Sequence, residues 1–203
     1  MLNEPISAEL WKQLDIPNRY PAADPDEAEG SEPVPTEFLK DFYQQAYRRI
    51  RAQSEDVTIV FHDGFRLREW DGYFDQPEFQ RIIVDTHLYL MFHTWTSGTE
   101  DLDGYLAYIR DEFATTLTEM SAHLPIVVGE WCLDTMSPKA AKLSKEERLD
   151  YYRTLATAQL QAWNNTQGWF YWNYKLLANG SDLDGWDMGK SIELGYLPDK
   201  LKP

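Results

Sequence analysis

Two carboxylates stand out for where they fall: Glu4 in the run LNEP and Glu130 in IVVGEW. Other reactive side chains occupy comparable places. His62 and Asp63 follow VTIVF, His87 and Tyr89 follow RIIVDT, and Trp172 ends GWFYW. Taken singly, each has a structural explanation. Asn-Glu-Pro is a short tripeptide in which Pro5 suits a strand exit. His87 and Trp172 could be core residues, and Glu130 a paired structural carboxylate. An acid directly after Ile-Val-Val-Gly, however, meets a desolvation cost and needs a partner. Recurrence at one place in every repeat favours chemistry over packing.

Paired carboxylates with an aromatic floor are suited to glycoside hydrolysis. One carboxyl protonates the leaving oxygen while the other attacks the sugar or activates water. Separations of about 5 Å go with retention, and roughly 6.5–9.5 Å with inversion. Sugar rings stack their C–H faces on Trp, and their hydroxyls need partners such as Asn, His and Tyr.

Such residues must be positioned by regular elements, and the chain supplies a repeating set. Short apolar runs predict strands at Val57–Phe61, Arg81 to about Thr86, Ile126–Gly129 and Trp169 to about Asn173. Helical spacing of Phe38, Leu39, Phe42, Tyr43, Ala46, Tyr47 and Ile50 predicts a helix from Thr36, and Leu102 to Met120 predicts another. Ser144 and Glu147 form a capping-box pattern that opens a third. A last short helix is expected over Met188–Leu194, stopped by Gly195. Residues 15–36, rich in Pro and acidic residues, predict a long surface loop within one domain spanning 1–203.

Strands that are apolar on both faces and alternate with helices imply a parallel sheet in an α/β architecture. No Gly-x-Gly-x-x-Gly or Gly-x-x-x-x-Gly-Lys follows a strand, so the nucleotide-binding versions lose support. A (β/α)8 barrel or a related sheet is left. In such a barrel every strand-end residue named above converges on the C-terminal mouth, where the chemistry is kept.

The 203 residues are 43% hydrophobic and include eight Trp and twelve Tyr, enough apolar material for a sizeable core. A net charge of −15 argues against nucleic acid or anionic membrane as a partner. Cys132 is the one cysteine, so neither an intrachain disulfide nor a Cys-based zinc site can form. No metal or cofactor is expected. Without a signal peptide, lipidation motif or spanning apolar run, the expected location is cytoplasmic.

The series LNEP, FHDGF, VDTHLY, IVVGEW, GWFYWNYK and GWDMGKSIELGYLP resembles glycoside hydrolase family 5, specifically its exo-β-1,3-glucanase-like branch. Order and spacing agree over essentially the whole chain. The resemblance implies a retaining hydrolase of β-glucans or β-glucosides, with Glu4 as acid/base and Glu130 as nucleophile. It implies that Asn3 bonds the sugar 2-hydroxyl, that His87 and Tyr89 hold the carboxylate regions, that His62 helps to bind substrate, and that Trp172 floors the central subsite. Family members carry four strands before Asn-Glu-Pro, so the chain is expected to correspond to the C-terminal half of the barrel, from the end of strand four to strand eight and a closing helix. Expected partners are a β-glucan and either an N-terminal half-barrel or a second copy. Glu4 is expected to sit in a frayed terminus, leaving the isolated chain with little activity. The competing expectation is a non-catalytic half-barrel that binds glucan.

Overall fold

In the computed structural model, which describes residues 2–177 and 181–198, the four apolar runs become strands. They are β1 (Ile59–His62), β2 (Ile82–His87), β3 (Ile126–Trp131) and β4 (Trp169–Tyr171). Their hydrogen-bonded order follows the sequence, β1-β2-β3-β4. The β1–β2 and β3–β4 pairs are parallel. Among the described residues the helices are α1 (Ala8–Gln13), α2 (Ile16–Arg19), α3 (Pro25–Ala28), α4 (Thr36–Arg51), α5 (Leu90–Ser97), α6 (Leu102–Tyr108), α7 (Thr115–Ser121), α8 (Lys145–Ala162) and α9 (Met188–Glu193). A π-helical turn, Ile109–Ala114, joins α6 to α7 into one continuous rod. No described helix is long and apolar enough to cross a membrane.

The first strand begins at Ile59 rather than Val57, and β1, β2 and β3 run on to include His62, His87 and Glu130–Trp131. The ladder outlasts the apolar run because neighbouring backbone remains available. Asp63 N–H donates to Asp85 O at 2.8 Å, and Leu88 N–H donates to Glu130 O at 2.9 Å. Residues 15–36, expected as a loop, carry the four-residue helices α2 and α3, each with Pro in its first turn. Two further helices were not evident from periodicity. One is α1, capped by the Ser7 hydroxyl, and the other is α5, closed by Gly98 at φ 72°.

By packing, the chain divides into two units, one running to Thr86 with His123–Pro125 added, the other comprising His87–Ala122 and Ile126 onward. In the first, α4 buries Leu39, Tyr43 and Tyr47. The Tyr43 ring lies 4.7 Å from Phe61 of β1, and Phe61 stacks on Phe74 at 5.1 Å. Such pairs add about 0.5–1.5 kcal/mol beyond the area they bury. Tyr43 also donates to His62 O at 2.7 Å, so the helix face grips the end of β1. Burial pushes the Tyr43 phenol pKa up, keeping it a neutral donor.

The second unit is built around Trp131. Its buried indole meets Tyr171, Trp169 and Trp163 edge-on at 4.9, 5.3 and 5.9 Å. Helix α8 supplies Leu155, Ala156 and Ala162 to this core, and the π turn supplies Ile109 and Phe113. The capping box that opens α8 is fully formed: Ser144 Oγ accepts from Glu147 N–H, and Glu147 accepts from Ser144 N–H. Cys132 is buried here, and burial raises its thiol pKa, so it behaves as a small hydrophobe rather than a nucleophile.

Candidate active site

Strict alternation along β3 would put Glu130 on the same face as Ile126 and Val128, which are buried. Instead Trp131 takes the fully buried position and Glu130 is only partly covered. The cause is a register shift against β4 between Val128 and Trp131, a bulge that re-aims one side chain. The Glu130 side chain remains only 14% exposed. Tyr89 Oη donates to its Oε2 at 2.7 Å, and His87 Nδ1 lies 3.3 Å from the same oxygen. These two residues can share one target because His87 ends β2 and Tyr89 continues extended at φ −115°, so alternate side chains face one way. The partner that desolvation demanded for Glu130 is therefore present twice.

The surrounding surface of this unit is aromatic. Tyr89 packs against Trp186 with ring centroids 5.6 Å apart, and against Phe92 at 5.7 Å. Trp172 follows β4, its backbone N–H bound to Trp131 O at 2.8 Å, and 49% of its surface is exposed. That exposure removes the core reading of Trp172. Asn173 N–H donates to Trp186 O at 2.9 Å, which ties the end of β4 to the segment carrying Trp186. The GWDMGK run contains Trp186, but this residue ends a six-residue 3-10 helix (Ser181–Trp186), too short for periodicity to mark which of its residues faces the site.

In the first unit, His62 ends β1 and is buried. Gly64 N–H donates to its Nδ1 at 2.8 Å, so Nδ1 holds the lone pair and the neutral ring carries its proton on Nε2. Asp63, also buried, shapes the following turn. It accepts from Phe65 N–H at 2.9 Å and from the Thr86 hydroxyl at 2.8 Å. Glu4 is half-buried, with ligating atoms of Glu4 and His62 within 4.8 Å of one another. Asn3 is exposed.

The Asn-Glu-Pro segment forms no strand, yet it is held by several contacts where a frayed end was expected. Arg66 Nη2 donates to Pro5 O at 2.7 Å, while its Nη1 donates to Val34 O and Thr36 Oγ1, each at 3.0 Å. Val34 N–H donates to Ile6 O at 2.8 Å. Gly64, at φ 66°, lets this backbone approach: a Cβ there would lie 2.6 Å from Pro5 O. Burial of Arg66 lowers its pKa, with Glu69 and Asp63 opposing that shift. Nothing in the residues around Arg66 pointed to this role.

The family model Cellulase (glycosyl hydrolase family 5) matches residues 1–176. The chain belongs to glycosyl hydrolase family 5. Its (β/α)8 fold accounts for the parallel strands with helices between them. This family-5 chain is 28% identical to glucan 1,3-beta-glucosidase 2 of Schizosaccharomyces pombe, covering 79% of the chain and 34% of that protein. It is 28% identical to a probable glucan 1,3-beta-glucosidase A of Aspergillus terreus, covering 81% and 45%, and 27% identical to a probable glucan 1,3-beta-glucosidase of Arthroderma benhamiae, covering 83% and 47%. The chain thus spans between a third and a half of these relatives' length. Asn3, Glu4, His62, His87, Tyr89, Glu130 and Trp172 all fall within the matched segment, and Trp186 lies beyond it.

Proposed function

We propose that this family-5 chain carries the catalytic carboxylates of a retaining hydrolase acting on β-1,3-linked glucans. The observation that carries the reading is the doubly held Glu130: Tyr89 and His87 both converge on Oε2 at a bulged strand end. A carboxylate so oriented is prepared to attack, because its rotamer is set before substrate arrives. The relatives' names, each a glucan 1,3-beta-glucosidase, support the substrate class.

In the first step Glu130 attacks the anomeric carbon and the bond to the leaving oxygen breaks as the Glu4 carboxyl gives that oxygen its proton. In the second, Glu4, now a carboxylate, takes a proton from water as the water oxygen displaces Glu130. His62 stands beside Glu4 as a neutral ring. Asn3 is assigned to the sugar 2-hydroxyl, and the half-exposed Trp172 indole to an apolar sugar face. Further strand–helix repeats, on this polypeptide or another, would close the barrel around these groups.

The test uses an activated 2-deoxy-2-fluoro-β-glucoside, which forms the glycosyl ester faster than water can remove it. Mass spectrometry should find the label on the peptide containing Glu130, and Glu130→Gln should lose it along with turnover of laminari-oligosaccharides. Glu4→Gln should abolish turnover of these natural glucans while sparing substrates whose leaving group needs no proton. The chain is assayed alone and mixed with a polypeptide supplying the other barrel strands. Label on another residue, or near-normal turnover by Glu130→Gln, sinks the reading.

A further inference from the structure

His123 stands on the turn before β3, and Asp71 and Asp75 stand on the turns between β1 and β2, all in the first unit. Its Nε2 lies 3.4 Å from Asp71 Oδ1. Its Nδ1 lies 3.2 Å from Asp75 Oδ2 and 3.4 Å from Asp75 Oδ1. One ligating atom from each of the three residues falls within 4.8 Å of the others. Among the described residues, neither carboxylate pairs with a Lys or Arg.

A neutral imidazole has one N–H and one lone pair. It can donate to one of these carboxylates, and must then turn its lone pair towards the oxygen of the other. Two electron-rich atoms facing each other at 3.4 Å call for positive charge between them. A proton is one answer, and a metal ion is the other. Two features favour the metal. In a tetrahedral site with bonds of about 2.0–2.2 Å, ligand atoms stand about 3.3–3.6 Å apart, which is the Nε2–Asp71 spacing. The Asp75 carboxylate on Nδ1–H also reproduces the arrangement in which a ligating histidine is oriented by an acid on its far nitrogen.

We propose that His123 Nε2 and Asp71 bind a divalent transition-metal ion of the Zn2+ class, oriented by Asp75, with water completing the coordination. An imidazole donor selects such ions over Mg2+ and Ca2+, which prefer all-oxygen sites. Side-chain exposures of 34% for His123 and 69% for Asp71 leave room for those waters. The ion would tie the turns leading into β2 to the entry of β3, so its effect falls on stability rather than on the glycosidic chemistry.

The tag-free chain is dialysed against Zn2+ and analysed for bound metal, then titrated calorimetrically with Zn2+, Mn2+, Mg2+ and Ca2+. One Zn2+ per chain is expected, with a rise in Tm and no comparable binding of Mg2+ or Ca2+. His123→Gln should abolish the uptake, Asp75→Asn should weaken it about 10–100-fold, and His93→Gln should leave it unchanged. Circular dichroism confirms that each variant is folded. Absence of stoichiometric uptake, uptake undiminished in His123→Gln, or Mg2+ bound as tightly as Zn2+ would each overturn the proposal.

Discussion

Tyr89 is held at both ends of its side chain. Its ring is buried against Trp186 and Phe92, while its hydroxyl donates to Glu130 Oε2. Tyr89→Phe keeps the ring and deletes the donor. A hydrogen bond to a charged oxygen is worth about 1.5–3 kcal/mol, so kcat/KM on a β-glucan should fall roughly 10–100-fold. The Tm should fall by no more than about 12 °C, with the fold retained because the buried aromatic surface is unchanged and His87 still meets Glu130. A large loss of Tm with intact activity would make Tyr89 a purely structural residue. Glu4 shows a related economy of placement: its left-handed backbone, at φ 47°, is tolerated where Arg66 grips the next carbonyl.

At the scale of elements, helix α8 is the clearest case of local sequence setting a boundary. Its capping box uses the Ser144 hydroxyl and the Glu147 carboxylate to satisfy backbone donors that the first turn leaves exposed. Ser144→Ala should cost about 1 kcal/mol of stability, read from urea melts at neutral pH. The Glu147 carboxyl is held below its ordinary value of 4.5 by the Ser144 side chain and then by the Ser144 backbone N–H. A depressed pKa in the folded state means that its contribution is fully present above 4.5 and is lost as the pH falls through the lower folded value. The gap between wild type and Ser144→Ala should therefore narrow on acidification below 4.5. A gap that widened in acid would contradict this account. The turn after β1 depends instead on a distant element: Gly64 is required there because Pro5 O, far away in sequence, occupies the space of a Cβ.

For the molecule as a whole, parallel strands are ordinarily covered on both faces. Here Val60 of β1 and Phe170 of β4 are 41% and 66% exposed, although each lies in the middle of its strand. Exposed apolar strand residues favour association once they are concentrated. Sedimentation of the 203-residue chain should show concentration-dependent self-association, reduced by Phe170→Ser without loss of Tm. Association unaffected by that change would place its cause elsewhere. The net charge of −15 opposes this tendency at neutral pH and ceases to do so near the sequence pI of about 4.6, where solubility should be lowest.

Local pattern alone determined the four strands, the long helices α4 and α8, the α8 capping box and the Gly195 stop, because each rests on residues within a few positions of one another. It also determined that Glu130 must have a partner, since an acid beside a buried apolar run cannot be left unpaired. Which atoms answer that need was decided by tertiary structure. Tyr89 reaches Glu130 across 41 residues, Arg66 grips Pro5 across 61, and His123 meets Asp75 across 48. The β3 bulge that breaks the alternation before Glu130 exists only against β4, and Trp186 finds Tyr89 only once its short 3-10 helix has folded back. Periodicity reports which face of an element is buried; it holds no record of what the chain later brings to the other face.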